Sequence, residues 1–274
     1  MKQITAKVIS NTRILKELKR RRDPKHPQPR DVLGSYLLWL DCPELTPKAK
    51  PGQFVMARCG GKTILPRPFS IHQVNNKGNI ALFFAVWEDG KGTNWLSQRR
   101  ISDKVELFGP LGINFSIRSD SRNLLLVAGG IGIAPLYFLA QEAVKKTRSV
   151  TLLLGAATAS QIYPKNLLPS RIKTVITTED GSAGKKGRVI DLVPEFIDRA
   201  DQVFACGPIP MYREMYLQRR KFLKNKPTQV SLETVMGCGR GICYGCTIKT
   251  KKGLQEICRD GPIFDLDNIV LEDI

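Results

Sequence analysis

The stretch LLLVAGGIGIAPLYFLA, Leu124–Ala140, carries no charge, and its reading decides whether this chain crosses a membrane or folds around a sheet. A membrane-spanning helix needs about 20 apolar residues. This run falls short of that and is broken by Gly129, Gly130, Gly132 and Pro135. A buried strand, a tight turn and a helix explain it better. The glycines let bare backbone turn and approach another group closely, and Pro135 suits the first turn of a helix. No transmembrane segment is expected.

Working outward, the same alternation continues downstream. Residues 123–128, 149–154, 171–177 and 202–205 are strand-like apolar runs. Helix-compatible segments fall at 135–146, 160–168, 188–200 and 209–223. Strand alternating with helix is the signature of a doubly wound parallel sheet. Upstream, the runs 3–9, 36–40, 54–58, 68–74, 80–86 and 104–108 are short and rich in β-branched and aromatic residues, with Gly, Pro and Asn turns between them. Such spacing suits a small antiparallel barrel. The fold class expected is therefore mixed β and α/β. An antiparallel β-barrel occupies 1–117, a doubly wound α/β domain 118–226, and a small C-terminal domain 227–274. The segment KELKRRRDPKHPQPRD, 16–31, has seven basic residues, three acidic ones and three prolines, and reads as an exposed insert after the first strand.

The 274 residues include 43 Lys+Arg against 25 Asp+Glu, a net charge of +18. That is either a solvated lysine-rich surface or a face for an acidic partner. The N-terminus, MKQITAKVISNTRIL, alternates like a strand and lacks the apolar core of an export signal. Seven cysteines in a chain this long argue for a reduced, cytoplasmic protein whose thiols bind metal rather than for a disulfide framework.

Four of those cysteines dominate the chemistry. MGCGRGICYGC, 236–246, followed by Cys258, places Cys238, Cys243, Cys246 and Cys258 in the pattern C-x4-C-x2-C-x11-C. The first three follow the plant-type 2Fe–2S spacing, although the fourth ligand usually lies much farther along. A zinc site usually pairs two knuckles, and only one C-x2-C exists here. Glycines 237, 239, 241 and 245 leave room for amide N–H groups to approach cluster sulfides. The balance favours a 2Fe–2S cluster over zinc or plain buried thiols.

Two further sites emerge. In RPFS, Arg67–Ser70, the Arg67 guanidinium offers a planar fork for a pyrophosphate and Ser70 a hydroxyl for a flavin ring edge. EDGKGTNWL, 88–96, sets Gly92 and Thr93 before an apolar helical turn, where free N–H groups attract anions. The strand around Ala85 and Val86 is placed to run along the same ligand. On the other side, the turn at Gly129, Gly130 and Gly132 resembles a dinucleotide-binding turn. VFACGPIPM puts Cys206, Gly207 and Pro208 at the end of a later strand. In open α/β sheets the carboxyl ends of strands face the ligand crevice.

Together, RPFS, GKGT, AGGIGIAP, ACGP and a C-terminal cysteine cluster resemble the ferredoxin reductase superfamily. VSLETVMGCGRGICYGC and ICRDGPIFD resemble the electron-transfer subunits of B-type dihydroorotate dehydrogenases, over about residues 3 to 270. The resemblance implies FAD on the barrel, NAD in the second domain and a 2Fe–2S cluster in the third. It also implies a separate FMN-containing catalytic subunit that oxidises dihydroorotate, two of each forming a heterotetramer. By resemblance, Arg67, Pro68, Phe69, Ser70, Ala85, Val86, Gly92 and Thr93 bind FAD, and Gly129, Gly130, Gly132, Cys206, Gly207 and Pro208 the nicotinamide nucleotide. Cys238, Cys243, Cys246 and Cys258 hold the cluster. The loop EDGSAGKKG, 179–187, is also similar to the family's loop on that crevice.

No general base is needed for such chemistry, and no catalytic side chain is expected; His72 reads as structural. The chain has no room for an α/β barrel of about 250 residues beside these domains, so dihydroorotate oxidation needs the partner. NAD is favoured over NADP because no basic residue lies in GAATASQ, 155–161. The alternative is a related subunit of a hydrogenase, sulfide or ferredoxin-NADP system. Ferredoxin-NADP subunits tend to carry Asp where Cys238 stands. A nucleic-acid-binding regulator is disfavoured, because it leaves RPFS, GKGT and both glycine turns unexplained and lacks a groove-reading helix.

Overall fold

A computed structural model describes residues 2–16, 32–61 and 64–271. The insert read at 16–31 thus lies almost wholly outside the described residues. The chain forms two compact units, one of residues 1–49 and 54–111 and one of residues 50–53 and 112–274.

The first unit is a closed six-stranded antiparallel barrel of β1 (Lys2–Leu15), β2 (Val32–Asp41), β3 (Phe54–Arg58), β4 (Arg67–Val74), β5 (Asn79–Trp87) and β6 (Lys104–Leu111), in the order β1-β2-β5-β4-β3-β6. The helix α1 (Lys91–Ser97) follows β5. The strand expected at 3–9 runs on to Leu15 because it serves two neighbours. Its first half pairs with β6 (Lys2↔Gly109 to Lys7↔Lys104) and its second with β2 (Lys7↔Asp41 to Leu15↔Ser35). Two irregularities in register, between Val8 and Ser10 and between Arg13 and Leu15, mark where β1 bends. Leu38, Leu40, Met56, Ile71, Ile80 and Leu82 fill the barrel.

The second unit is a seven-stranded sheet in the order β10-β9-β8-β7-β11-β12-β15. Its strands are β7 (Asn123–Gly129), β8 (Ser149–Ala156), β9 (Lys173–Thr178), β10 (Lys185–Lys186), β11 (Gln202–Cys206), β12 (Thr228–Ser231) and, antiparallel at the edge, β15 (Ile263–Asp265). Leu124–Ala140 is, as read, a strand, a turn and the helix α2 (Ile133–Lys145). Leu124–Ala128 and nine residues of α2 are buried, which is why the run carries no charge.

Helical structure downstream is shorter than expected. In place of a helix at 160–168 there are single 3-10 turns at Ala159–Gln161 and Lys165–Leu167, separated by Pro164. The segment 188–200 holds one turn of α-helix, α3 (Val193–Phe196), between 3-10 turns, and 209–223 divides into α4 (Ile209–Leu217) and α5 (Arg219–Phe222). Between β12 and β15 the chain leaves the sheet. This excursion carries the hairpin β13 (Thr247–Thr250)–β14 (Gly253–Glu256) and the turn of helix α6 (Ile257–Asp260). Its two ends are adjacent, because Ser231 pairs with Ile263 and Leu232 N–H donates to the Pro262 carbonyl at 2.9 Å. Among the described residues, no helix is long and apolar enough to cross a membrane.

Candidate cluster and cofactor sites

The excursion from the sheet brings the four motif cysteines together. The four thiols are close enough to act on one another: Cys243 acts on Cys238, and both Cys246 and Cys238 act on Cys258. Backbone donors close around them. Arg240 N–H donates to Cys238 Sγ at 3.3 Å, Gly241 N–H to Cys258 Sγ at 3.2 Å and Cys258 N–H to Cys246 Sγ at 3.4 Å. Gly239 and Gly241 hold φ of 64° and 70°, left-handed values that curl the loop and aim these amides inward. A Cβ on Gly237 would stand 3.3 Å from Cys243 Sγ.

The electrostatics set the two outer cysteines of the motif apart. Burial pushes the Cys238 thiol up, but N–H groups of Arg240, Ile242 and Cys243, with the Cys243 thiol, outweigh it and bring it down to about 6. Cys258 is pushed up, first by burial and then by sharing a hydrogen with Cys246. Among the described residues, no three His, Cys, Asp or Glu side chains close on a single metal ion. The four thiols with their backbone donors form a donor set of the kind that holds an iron–sulfur cluster.

On the barrel, Arg67 opens β4 opposite Ala57, and its Nη1 donates to the Leu65 carbonyl at 2.7 Å. Its stem packs against the first turn of α1, since a Cβ on Gly92 would lie 3.2 Å from Arg67 Cγ. Thr93 Oγ1 donates to the Gly90 carbonyl at 3.1 Å and Asn94 Nδ2 to the Trp87 carbonyl at 2.8 Å, fixing the β5–α1 turn. Phe69 is buried edge-on against Phe84, with centroids 5.5 Å apart. Arg67, Pro68, Ser70, Ala85 and Thr93 stay half-buried, while Val86 and Gly92 are buried. The structure thus brings Arg67 to Gly92, though the two are 25 positions apart. His72 is buried against Phe83, as a structural histidine would be.

In the sheet, the two glycine-rich strand ends converge. Cys206 pairs with Ala128. A Cβ on Gly132 would fall 1.9 Å from the Cys206 carbonyl oxygen, and one on Gly129 would lie 3.0 Å from Pro208 Cδ. Gly207 in turn approaches Gly129 Cα, 3.2 Å from where its own Cβ would be. Gly130, with φ 58°, faces open space at the carboxyl edge of the sheet.

Sequence reasoning missed the side chains around Cys206. Its Sγ lies 3.9 Å from Glu233 Oε1, and Tyr212 Oη accepts from Gly207 N–H at 2.8 Å while donating to the Ser231 carbonyl at 2.7 Å. Glu233 is open to solvent on one side, yet the atoms crowded around its carboxyl push it above the usual carboxylate range, offset in part by the Cys206 hydrogen bond. Only the fold brings Glu233, 27 positions away, to Cys206.

The comparisons agree with this division of labour. Residues 34–115 match an oxidoreductase FAD-binding domain, 126–216 an oxidoreductase NAD-binding domain, and 233–270 the iron–sulfur cluster binding domain of dihydroorotate dehydrogenase B. The fold and sites define an oxidoreductase with FAD-, NAD- and iron–sulfur-binding domains. The electron transfer subunit of dihydroorotate dehydrogenase B (NAD(+)) from Caldanaerobacter subterraneus subsp. tengcongensis is 38% identical over 227 residues, 81% of this chain and 88% of that one. That from Desulforamulus reducens is 38% identical over 249 residues, 87% of this chain and 94% of its own. A chain of the NADH-dependent reduced ferredoxin-NADP oxidoreductase superposes with a TM-score of 0.81 at 27% identity, over 97% of this chain and 90% of that one. The chain belongs to the family of dihydroorotate dehydrogenase B electron transfer subunits.

Proposed function

We propose that this chain carries electrons from an FMN-containing subunit that oxidises dihydroorotate, by way of a 2Fe–2S cluster and FAD, to NAD, as a step of pyrimidine (UMP) synthesis in the cytoplasm. The observation that carries the reading is the set of four motif thiols, met by backbone donors, in a chain that also has FAD- and NAD-binding domains. When bound, these groups supply one-electron and hydride transfer; the protein supplies binding, orientation and electrostatics.

In this reading Cys238, Cys243, Cys246 and Cys258 would hold the cluster. Arg67 meets the FAD pyrophosphate, with Gly92 and Thr93 at its phosphates; Ser70 bonds the ring edge, and Pro68, Phe69, Ala85 and Val86 shape its bed. Gly129, Gly130 and Gly132, with Cys206, Gly207 and Pro208, seat the nicotinamide nucleotide where bare backbone permits close approach. The functional segments are 1–117, 118–226 and 227–274. The partner binds as two catalytic and two electron-transfer subunits. No cation within 155–161 awaits a 2′-phosphate, which supports NAD over NADP.

The test is to co-express the chain with the catalytic subunit from the same genome. Dihydroorotate-dependent reduction of NAD by the pair, and by neither subunit alone, is the expected result. A pair that forms yet reduces NADP faster than NAD, or reduces neither from dihydroorotate, contradicts the reading.

A further inference from the structure

A buried carboxylate that electron transfer does not itself require lies beneath the cysteine loop. Glu256 closes β14 with 4% of its surface exposed, and its Oε2 has no hydrogen-bond partner. That oxygen presses on Gly241, where an added Cβ would stand only 2.7 Å away. The Gly241 N–H is the one that donates to Cys258 Sγ. Arg259 Nη1 lies 3.6 Å from the same Oε2, and its Cδ would be 3.0 Å from the same Cβ on Gly241. The Glu256 carboxylate and the Arg259 stem therefore meet on the same side of Gly241, the residue whose N–H bonds a motif thiol, and the Arg259 guanidinium also reaches Asp260 Oδ1 at 3.2 Å. Arg259 is 60% exposed whereas Glu256 is not.

We infer that Glu256 and Arg259 set the reduction potential of the cluster, Glu256 holding it low and Arg259 partly offsetting that. The inference rests on the reading that the four thiols hold a 2Fe–2S cluster. One electron enters and leaves that group, and no bond in the chain forms or breaks. The added negative charge meets the Glu256 carboxylate, which the Arg259 guanidinium faces at 3.6 Å, across one glycine, where burial of the Glu256 side chain lowers the dielectric and magnifies the repulsion. Solvent and salt screen the exposed guanidinium, so its opposite effect is smaller. Glu256 also acts as a positioning residue, because its contact keeps Gly241 N–H on Cys258 Sγ, and hydrogen bonds to cluster sulfurs are themselves a lever on potential.

The experiment is a redox titration of the purified holo chain, followed by electron paramagnetic resonance, on wild type, Glu256→Gln and Arg259→Gln, with iron and sulfide assayed in each. At the wild-type midpoint, Glu256→Gln is expected to move the reduced-to-oxidised ratio about tenfold toward reduced, about 59 mV for a one-electron couple. Arg259→Gln moves it a smaller way toward oxidised. If Glu256→Gln assembles no cluster, Arg259→Glu reads the same coupling and must lower the midpoint further than Arg259→Gln. Midpoints that stay put, or shift in the same direction in both charge-removing variants, overturn the inference while leaving the cluster in place. A wild-type chain that carries zinc or no iron overturns the cluster reading and this inference with it.

Discussion

At Gly132 a single added carbon would sit 1.9 Å from the Cys206 carbonyl oxygen, against backbone that cannot swing away. Gly130, two positions earlier, has nothing within 4 Å but holds a left-handed φ of 58°. The two glycines therefore differ: Gly132 is packed against backbone, whereas Gly130 faces open space. Gly132→Ala is expected to cost about 2–3 kcal/mol in urea unfolding, the scale of overpacking in a filled site. Gly130→Ala costs about 1 kcal/mol for its conformation, yet weakens NADH binding at least as much as Gly132→Ala does, because its open face lies at the carboxyl edge of the sheet. Equal stability losses in calorimetry and urea unfolding would show the distinction to be wrong. Cys42 shows a third residue-scale effect. Burial first, then the neighbouring Asp41 charge, push its thiol up to about 12, against a backbone hydrogen bond at Ile80 that lowers it. Above pH 9 the unfolded chain releases this proton while the folded barrel retains it. Stability from the neutral thiol is therefore complete below pH 9 and is lost as pH climbs toward 12, by about 1.4 kcal/mol per unit. Urea midpoints of wild type and Cys42→Ala should converge by that slope between pH 9 and 10; a constant difference contradicts it.

At the scale of elements, the cysteine segment is an excursion whose feet stand on neighbouring strands, with Ser231 paired to Ile263. Removal of iron by a chelator is expected to raise hydrogen exchange in 237–260, where thiols and amides otherwise enclose the cluster, and to leave β12 and β15 protected by their ladder. Exchange that spreads equally through β11, β12 and β15 would mean that the cluster supports the sheet itself. The same scale shows what was legible. The C-x4-C-x2-C spacing could be read directly because chemistry acts through close sequence neighbours, and Leu124–Ala140 because glycines interrupt it. The helices expected at 160–168 and 188–200 were over-read. Apolar residues there do recur at compatible spacing, but Pro164 and Pro194 restrict the backbone and remove a donor, and only short turns form. The strand run 3–9 stops short of Leu15, although the alternation continues through MKQITAKVISNTRIL, because SNTRIL has no fully buried residue and ladder pairing to β2 rather than burial keeps it extended. Glu233 and Glu256 had no local signal, since their partners Cys206 and Gly241 come to them only through the sheet and the loop.

For the whole molecule, the cysteine segment and the nucleotide-binding sheet belong to one compact unit, and the barrel to the other. Within the sheet unit, Glu233 links the start of the excursion to the end of β11. The thiol cluster and the glycine-rich strand ends are therefore held by one continuous framework. The net charge of +18 is a property of the whole chain; neither the motif thiols nor the nucleotide turns require it.

The central claim is that this one chain holds flavin and a two-iron cluster and exchanges electrons with NADH. The most direct measurement is the anaerobic visible spectrum of the purified chain, followed by titration with NADH. The expected result is flavin bands with a red-brown iron–sulfur shoulder, both bleached by NADH. A colourless protein containing zinc, or a flavin that NADH leaves oxidised, would contradict it.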